Sequence, residues 1–355
     1  LKAARGPKRT LVLAWVMSAV MFVDEYLNAL AVTFSMREIT DRNRIPREHL
    51  AVQANVMACC LCMTVPFSSW TAFTVGLVSE YGLGFGDYLR AIPYMLYPLC
   101  MMLVCLLLAV GAFPKAGVLK RAYRRESGGP AFERDEKAEK LVDVADVDES
   151  RASSAWNAVV PLAVLVGGTI IFDNDLIHGM VLAIIAQFLL YVPQKLMTVG
   201  RFFEHFFNGA KGMTSLAIVV CFGFVLSEAN RQLGLFDILI NGIGSTVPGY
   251  LVPPLAFLLV GATVFAVGGC WVVMTIAIPV FVPLALSMGV TAPVIIAAVM
   301  SGIGLGYSTC FYADAVFMTT AGTGVSNITI IKATLPYAAG AAAVAAAGFL
   351  LCGIL

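Results

Sequence analysis

Apolar residues in this chain come in long runs, not at the alternating or every-third-or-fourth spacing of a half-buried strand or a surface helix. The runs cover Leu11–Met36, Leu50–Val78, Leu89–Phe113, Ala155–Phe172, Leu176–Val192, Met213–Leu226, Tyr250–Met288, Ala292–Thr320 and Ala333–Leu355. A helix needs about 20 apolar residues to cross a bilayer, so most of these have spanning or near-spanning length. Several do not fit one helix each. Leu50–Val78 is interrupted at V-P-F-S-S-W and Ala292–Thr320 at G-I-G-L-G-Y-S-T, where Pro, Gly and small polar residues weaken a continuous helix. Tyr250–Met288 is too long for one span and carries G-G-C-W near its centre.

Composition narrows the class. Hydrophobic residues make up 59% of the 355 and charged residues 13%, with a mean hydropathy of +0.87, more apolar surface than a soluble domain of this size can bury. The expected fold is an all-α polytopic membrane protein whose first partner is the lipid bilayer of the plasma (cell inner) membrane. A net charge of +1 gives no reason to expect nucleic acid. The nine cysteines all fall in apolar runs and read as small buried packing residues. One long charged stretch, Lys115–Arg151, balances nine Lys or Arg against nine Asp or Glu and reads as a mobile cytoplasmic linker, 114–154, between two apolar halves.

Charge asymmetry then sets topology. Lys2, Arg5, Lys8 and Arg9 precede the first run, and Arg37, Arg42, Arg44 and Arg47 follow it, so both flanks belong on the cytoplasmic side. A re-entrant hairpin over 11–36, with half-helices meeting at Asp24–Asn28, satisfies both. A broken helix over 50–78 leads outward to Glu80 and Asp87, and a full helix over 89–113 returns to the linker. The second half, 155–355, begins with three helices, with Leu235–Ile243 along the outer interface. A hairpin over 250–288, a broken helix over 292–320 and a last helix over 333–355 follow. Hairpin, broken helix and full helix thus occur twice in opposite orientation, the inverted-repeat plan of secondary transporters. Because only the second half has three helices ahead of its hairpin, about three more, roughly 90 residues at ~20 to 25 per span plus loops, are expected upstream of Leu1.

The breaks are where chemistry is expected, because interrupted helices leave backbone groups free at mid-membrane. Asp24 and Glu25 stand side by side in V-D-E-Y-L-N with Asn28 one turn on. A carboxylate at that depth costs roughly 2.5 to 3.5 kcal/mol and marks a functional site. Adjacent carboxylates repel, so the two do not both ionise freely and one is expected to carry a proton. Ser68 and Ser69 beside Trp70, Gly269 and Cys270 beside Trp271, and Ser308, Thr309, Tyr312 and Asp314 complete the candidate ion or substrate set, with Thr319 and Thr320 further on. Oxygen ligands of this kind suit sodium or a proton. Single hydroxyls in membrane helices more often close helix contacts, and the tryptophans read as packing or interfacial anchors. His49, His178 and His205 fall in expected loops with no metal-ligand spacing. No cofactor, and no metal beyond sodium, is expected.

At these residues the chain resembles the NhaC-type sodium/proton antiporter family of the ion transporter superfamily. That family's D-D-Y-F-N, T-D-K with I-S-R-E-K-L-A, and P-I-S-S-W-G correspond to D-E-Y-L-N from Asp24, T-D-R-N-R-I-P-R-E-H-L-A from Thr40 and P-F-S-S-W-T from Pro66. In the second half, G-T-S-W-G-T-M corresponds to G-G-C-W-V-V-M from Gly268, and G-D-H-C-S-P-I-S-D-T-T to G-Y-S-T-C-F-Y-A-D-A-V from Gly306. Asp314 is kept. Tyr307, Ser308, Ala313, Ala315 and Val316 replace residues with more ligand atoms. The resemblance implies sodium/proton antiport, or ion-coupled exchange of a small organic anion of the malate or lactate type, with a homodimer as one option for assembly. A remote alternative is an intramembrane aspartyl protease, from G-F-G-D at Gly84–Asp87. The inverted-repeat plan argues for a transporter and against an enzyme.

Overall fold

The computed structural model describes residues 6–22, 24–126, 156–172, 176–212 and 248–354, with isolated positions between 214 and 233. Among the described residues every regular element is a helix, as a bilayer requires of a chain that must satisfy its backbone polar groups internally. Among the described residues four helices are long and apolar enough to cross a membrane, or up to six if two bent pairs each count as one span. The protein is an all-α polytopic membrane protein. Contacts divide it into Leu1–Asp143 with Asn230–Leu355, and Val144–Ala229.

In the first unit, α1 (Pro7–Val20) and α2 (Glu25–Arg42) form an antiparallel pair. Asn28 Nδ2 bonds Ser18 O at 2.8 Å, Ala14 packs with Val32 and Met36, and Leu11 packs with Ile45, so the basic flanks lie at the same end. α3 (Arg47–Thr64) and α4 (Ser69–Val78) make a bent pair, 44° across the break at Val65–Ser68, as the V-P-F-S-S-W interruption predicts. The helix expected over 89–113 is instead α5 (Phe85–Ala91), a short 3-10 turn and α6 (Leu96–Val110), bent by 53°. Pro93 sits in that turn, and its missing N–H and fixed φ end the α-helical ladder there.

α7 (Gly117–Glu126) occupies the start of the expected linker. It is docked: Leu119 and Ala122 are buried, and Arg125 binds Glu48 at 2.8 Å. The rest of the linker, 127–154, lies outside the described residues.

α11 (Val252–Val267) and α12 (Cys270–Ser287) form the second hairpin, broken at Gly268–Gly269. Its two ends meet, since a Cβ on Gly249 would stand 2.7 Å from Met288 O. α13 (Ala292–Thr309) and α14 (Asp314–Thr323) follow, then α15 (Asn327–Ile354), which begins six residues before the expected helix. The break expected within Gly302–Thr309 falls instead at Cys310–Ala313. Those glycines serve close packing: Cβ atoms on Gly302 and Gly306 would meet Phe257 O at 2.6 Å and Gly261 O at 2.5 Å, so α13 lies backbone to backbone against α11.

In the second unit, α8 (Trp156–Ile171) and α9 (Leu176–Tyr191) pack together, and Tyr191 Oη bonds Asn157 O at 2.8 Å. α10 (Val199–Gly212) is a helix where a loop carrying His205 was expected. Phe202, Phe203, Phe206 and Phe207 fall on one side of it and Arg201, Glu204, His205 and Lys211 on the other, at helical period. The expected segments Met213–Leu226, apart from isolated positions, and Leu235–Ile243 lie outside the described residues. All three histidines are helical, His49 in α3, His178 in α9 and His205 in α10.

Candidate functional site

Four helix breaks in the first unit meet through their side chains. Glu25, the first residue of α2, is 0% exposed, and its Oε2 accepts from Trp70 Nε1 of α4 at 2.8 Å. The ring of Trp70 packs tilted against Trp271 of α12 at 5.2 Å and edge-to-face against Tyr307 of α13 at 5.8 Å. Tyr26 Oη donates to Asp314 Oδ2 of α14 at 3.3 Å. The ring of Tyr312 lies over Gly268, where a Cβ would come within 2.5 Å of it. Gly268 has φ +79°, so both conformation and space require glycine there. Breaks far apart in sequence are thus joined by one layer of aromatic side chains around Glu25.

The sequence-predicted residues divide by what they are already doing. Asp24 is the N-cap of α2, its Oδ1 accepting from Leu27 N at 2.9 Å. Asn28 donates through Nδ2 to Ser18 O at 2.8 Å and Met21 O at 3.1 Å, closing the C-terminal carbonyls of α1. Its buried Oδ1 has no partner. Ser68 caps α4: its Oγ accepts from Thr71 N at 3.2 Å and donates to Cys62 O. Ser69 Oγ is buried without a partner. Thr309 Oγ1 returns to Leu305 O of its own helix at 2.6 Å. Ser308 Oγ bonds Tyr97 Oη at 2.8 Å. Gly269 is the N-cap of α12, and Cys270, 1% exposed, is its first residue.

Glu25 Oε1 is buried and has no hydrogen-bond partner. Leaving a buried carboxylate oxygen unsatisfied is costly, so this atom is where the site is incomplete. Asp314, by contrast, is exposed and opens α14 next to the buried Ala313 and Ala315. The second-half breaks lack side-chain caps at Gly269 and Ala313, whereas Asp24 and Ser68 cap the first-half helices.

Sequence reading missed two members. Tyr26 was visible only as part of D-E-Y and becomes a partner of Asp314; the Tyr307 hydroxyl accepts from Ala315 N–H at 3.3 Å. Trp70 is more than an anchor, since its N–H is spent on Glu25. Asp87 of G-F-G-D, in the first turn of α5, accepts from Gly84 N at 2.9 Å, so a helix cap accounts for it. Among the described residues no group of His, Cys, Asp and Glu could hold a metal, and all nine cysteines are free.

The sequence profile of the Na+/H+ antiporter family matches residues 61–354. An uncharacterized protein of Haemophilus influenzae is 22% identical, over 99% of this chain and 72% of that relative. The family match begins inside α3, so the break holding Asp24 and Glu25 lies upstream of it.

Proposed function

We propose, from the premise that the chain belongs to the Na+/H+ antiporter family, that it exchanges sodium for protons across the plasma (cell inner) membrane at Glu25. The protein is a multi-pass membrane transporter of the cation/proton antiporter kind; the ion and the residue that handles it are the proposal. What carries it is the unpartnered Oε1 of a fully buried carboxylate where four helix breaks meet. A proton or a sodium ion each satisfies that oxygen, and binding of one displaces the other. Exchange follows if the loaded site faces either side but an empty one does not cross. Ser69 Oγ and Asn28 Oδ1, also buried and without partners, are the candidate neutral ligands from the same half. Asp24, Ser68 and Thr309 are spent on helix ends, and Asp314 acts through Tyr26 at the rim. The paired hairpins and broken helices supply the two inverted repeats that rock about the site.

The test is proton flux in proteoliposomes of the full-length protein with an internal pH dye. Sodium is expected to collapse an imposed pH gradient, with malate or lactate as the competing arm. Glu25→Gln abolishes the sodium-driven signal while Asp87→Asn keeps it. Sodium-driven flux that persists in Glu25→Gln would overturn the assignment.

A further inference from the structure

The segment Thr40–Ala51, one of the motifs that the ion site does not use, forms the turn from α2 into α3. Its side chains make a junction at the Arg-rich end. Arg47, 8% exposed, holds Asp41 through Nε at 3.0 Å and Nη2 at 2.6 Å, and donates Nη1 to Thr323 O at 3.1 Å. Thr323 is the last residue of α14, so one guanidinium ties the end of α2, the start of α3 and the end of α14. Bidentate pairing gives it a fixed geometry, and a cation is well placed against a helix C-terminus.

The seal is close. Arg37 Nη1 reaches Gly322 O at 3.4 Å, and a Cβ on Gly322 would overlap the side chain of Thr33, so α14 seats its backbone directly on α2. The next two residues take α7. Glu48 accepts from Arg125 at 2.8 and 3.1 Å, His49 Nδ1 meets Tyr123 Oη at 2.6 Å, and Lys115 Nζ lies 3.4 Å from the centre of the Tyr123 ring.

α2 and α14 begin at the site, with Glu25 and Asp314, and α3 ends beside it. The three helices pinned at the Arg-rich end are therefore three of those whose opposite ends surround the buried carboxylate. We propose that Arg47 is the pin of a gate on the Arg-rich face, that α7 is a strap across it, and that parting of Arg47 from Asp41 and Thr323 O opens the way to Glu25 from that face. Arg47 is a positioning residue, and the gate rests on the reading of this site as one of alternating access.

Native Cys270, 1% exposed at the start of α12, is a built-in reporter. Full-length protein in vesicles of each orientation is treated with a membrane-impermeant maleimide, and labelling is read at the Cys270 peptide. Asp41→Asn is expected to raise labelling several-fold from the Arg-rich face and leave the opposite face at its parental level. Asp41→Glu, which keeps the charge, stays parental, and Arg125→Gln gives a smaller rise with the same sidedness. An equal rise from both faces, which marks general loosening, or no rise in either folded neutral variant overturns the gate. If Asp41→Asn does not fold, Arg125→Gln alone decides by the same criterion. Labelling needs no transported ion, so failure of the sodium/proton reading leaves this result intact, and the reverse also holds.

Discussion

Asp24 and Glu25 are adjacent acids with opposite duties. Asp24 spends its carboxylate on the first turn of α2, a role that asparagine fills about as well. Asp24→Asn should therefore keep both folding and exchange, whereas Asp24→Ala should cost about 0.5–2 kcal/mol in thermal unfolding. Trp70→Phe is the sharper test of how Glu25 is held. It keeps a ring between Trp271 and Tyr307 but removes the indole N–H that donates to Oε2. A loss of about 1.5–3 kcal/mol, together with impaired transport, is expected for a bond to a charged group; a neutral result would make Trp70 a packing residue. The sequence could place both acids at a break but could not divide these duties. Capping and ion ligation draw on the same residue types, so Asp24, Ser68 and Thr309 looked like ligands until their bonds to helix ends were seen.

Elements were legible where proline and glycine interrupt an apolar run and nothing competes. V-P-F-S-S-W and G-G-C-W became the breaks after α3 and α11. The glycines of α13 misled because glycine weakens a helix and also lets another helix approach, and only the neighbour decides which. Gly306→Leu should cost about 1–3 kcal/mol by overpacking, measured as a drop in unfolding temperature, with the neighbouring break at Cys310–Ala313 unchanged. The I-P-Y turn before α6 was missed because the apolar run continues through it. α7 was taken as linker for its charge, although its Leu119, Ala122 and Tyr123 recur three to four residues apart on the face that docks.

At the scale of the whole molecule, the antiparallel first hairpin was predictable from charge, since basic residues flank both its arms. The convergence of four breaks was not, because contacts across more than 200 residues leave no local pattern. Ion binding at that centre should stabilise the full-length protein. Sodium at about 100 times its Kd should add about 2.7 kcal/mol, seen as a higher unfolding temperature than in potassium at equal ionic strength, and the increment should vanish in Glu25→Gln. The indoles of Trp70 and Trp271, one from each half of the sequence, lie 5.2 Å apart and tilted by 53°. Two chromophores so placed absorb as a coupled pair, and the sign and size of their circular dichroism couplet depend on mutual angle. The chain therefore carries an optical goniometer at its centre, silenced by Trp271→Phe, whose signal reads the angle between α4 and α12 without any added label.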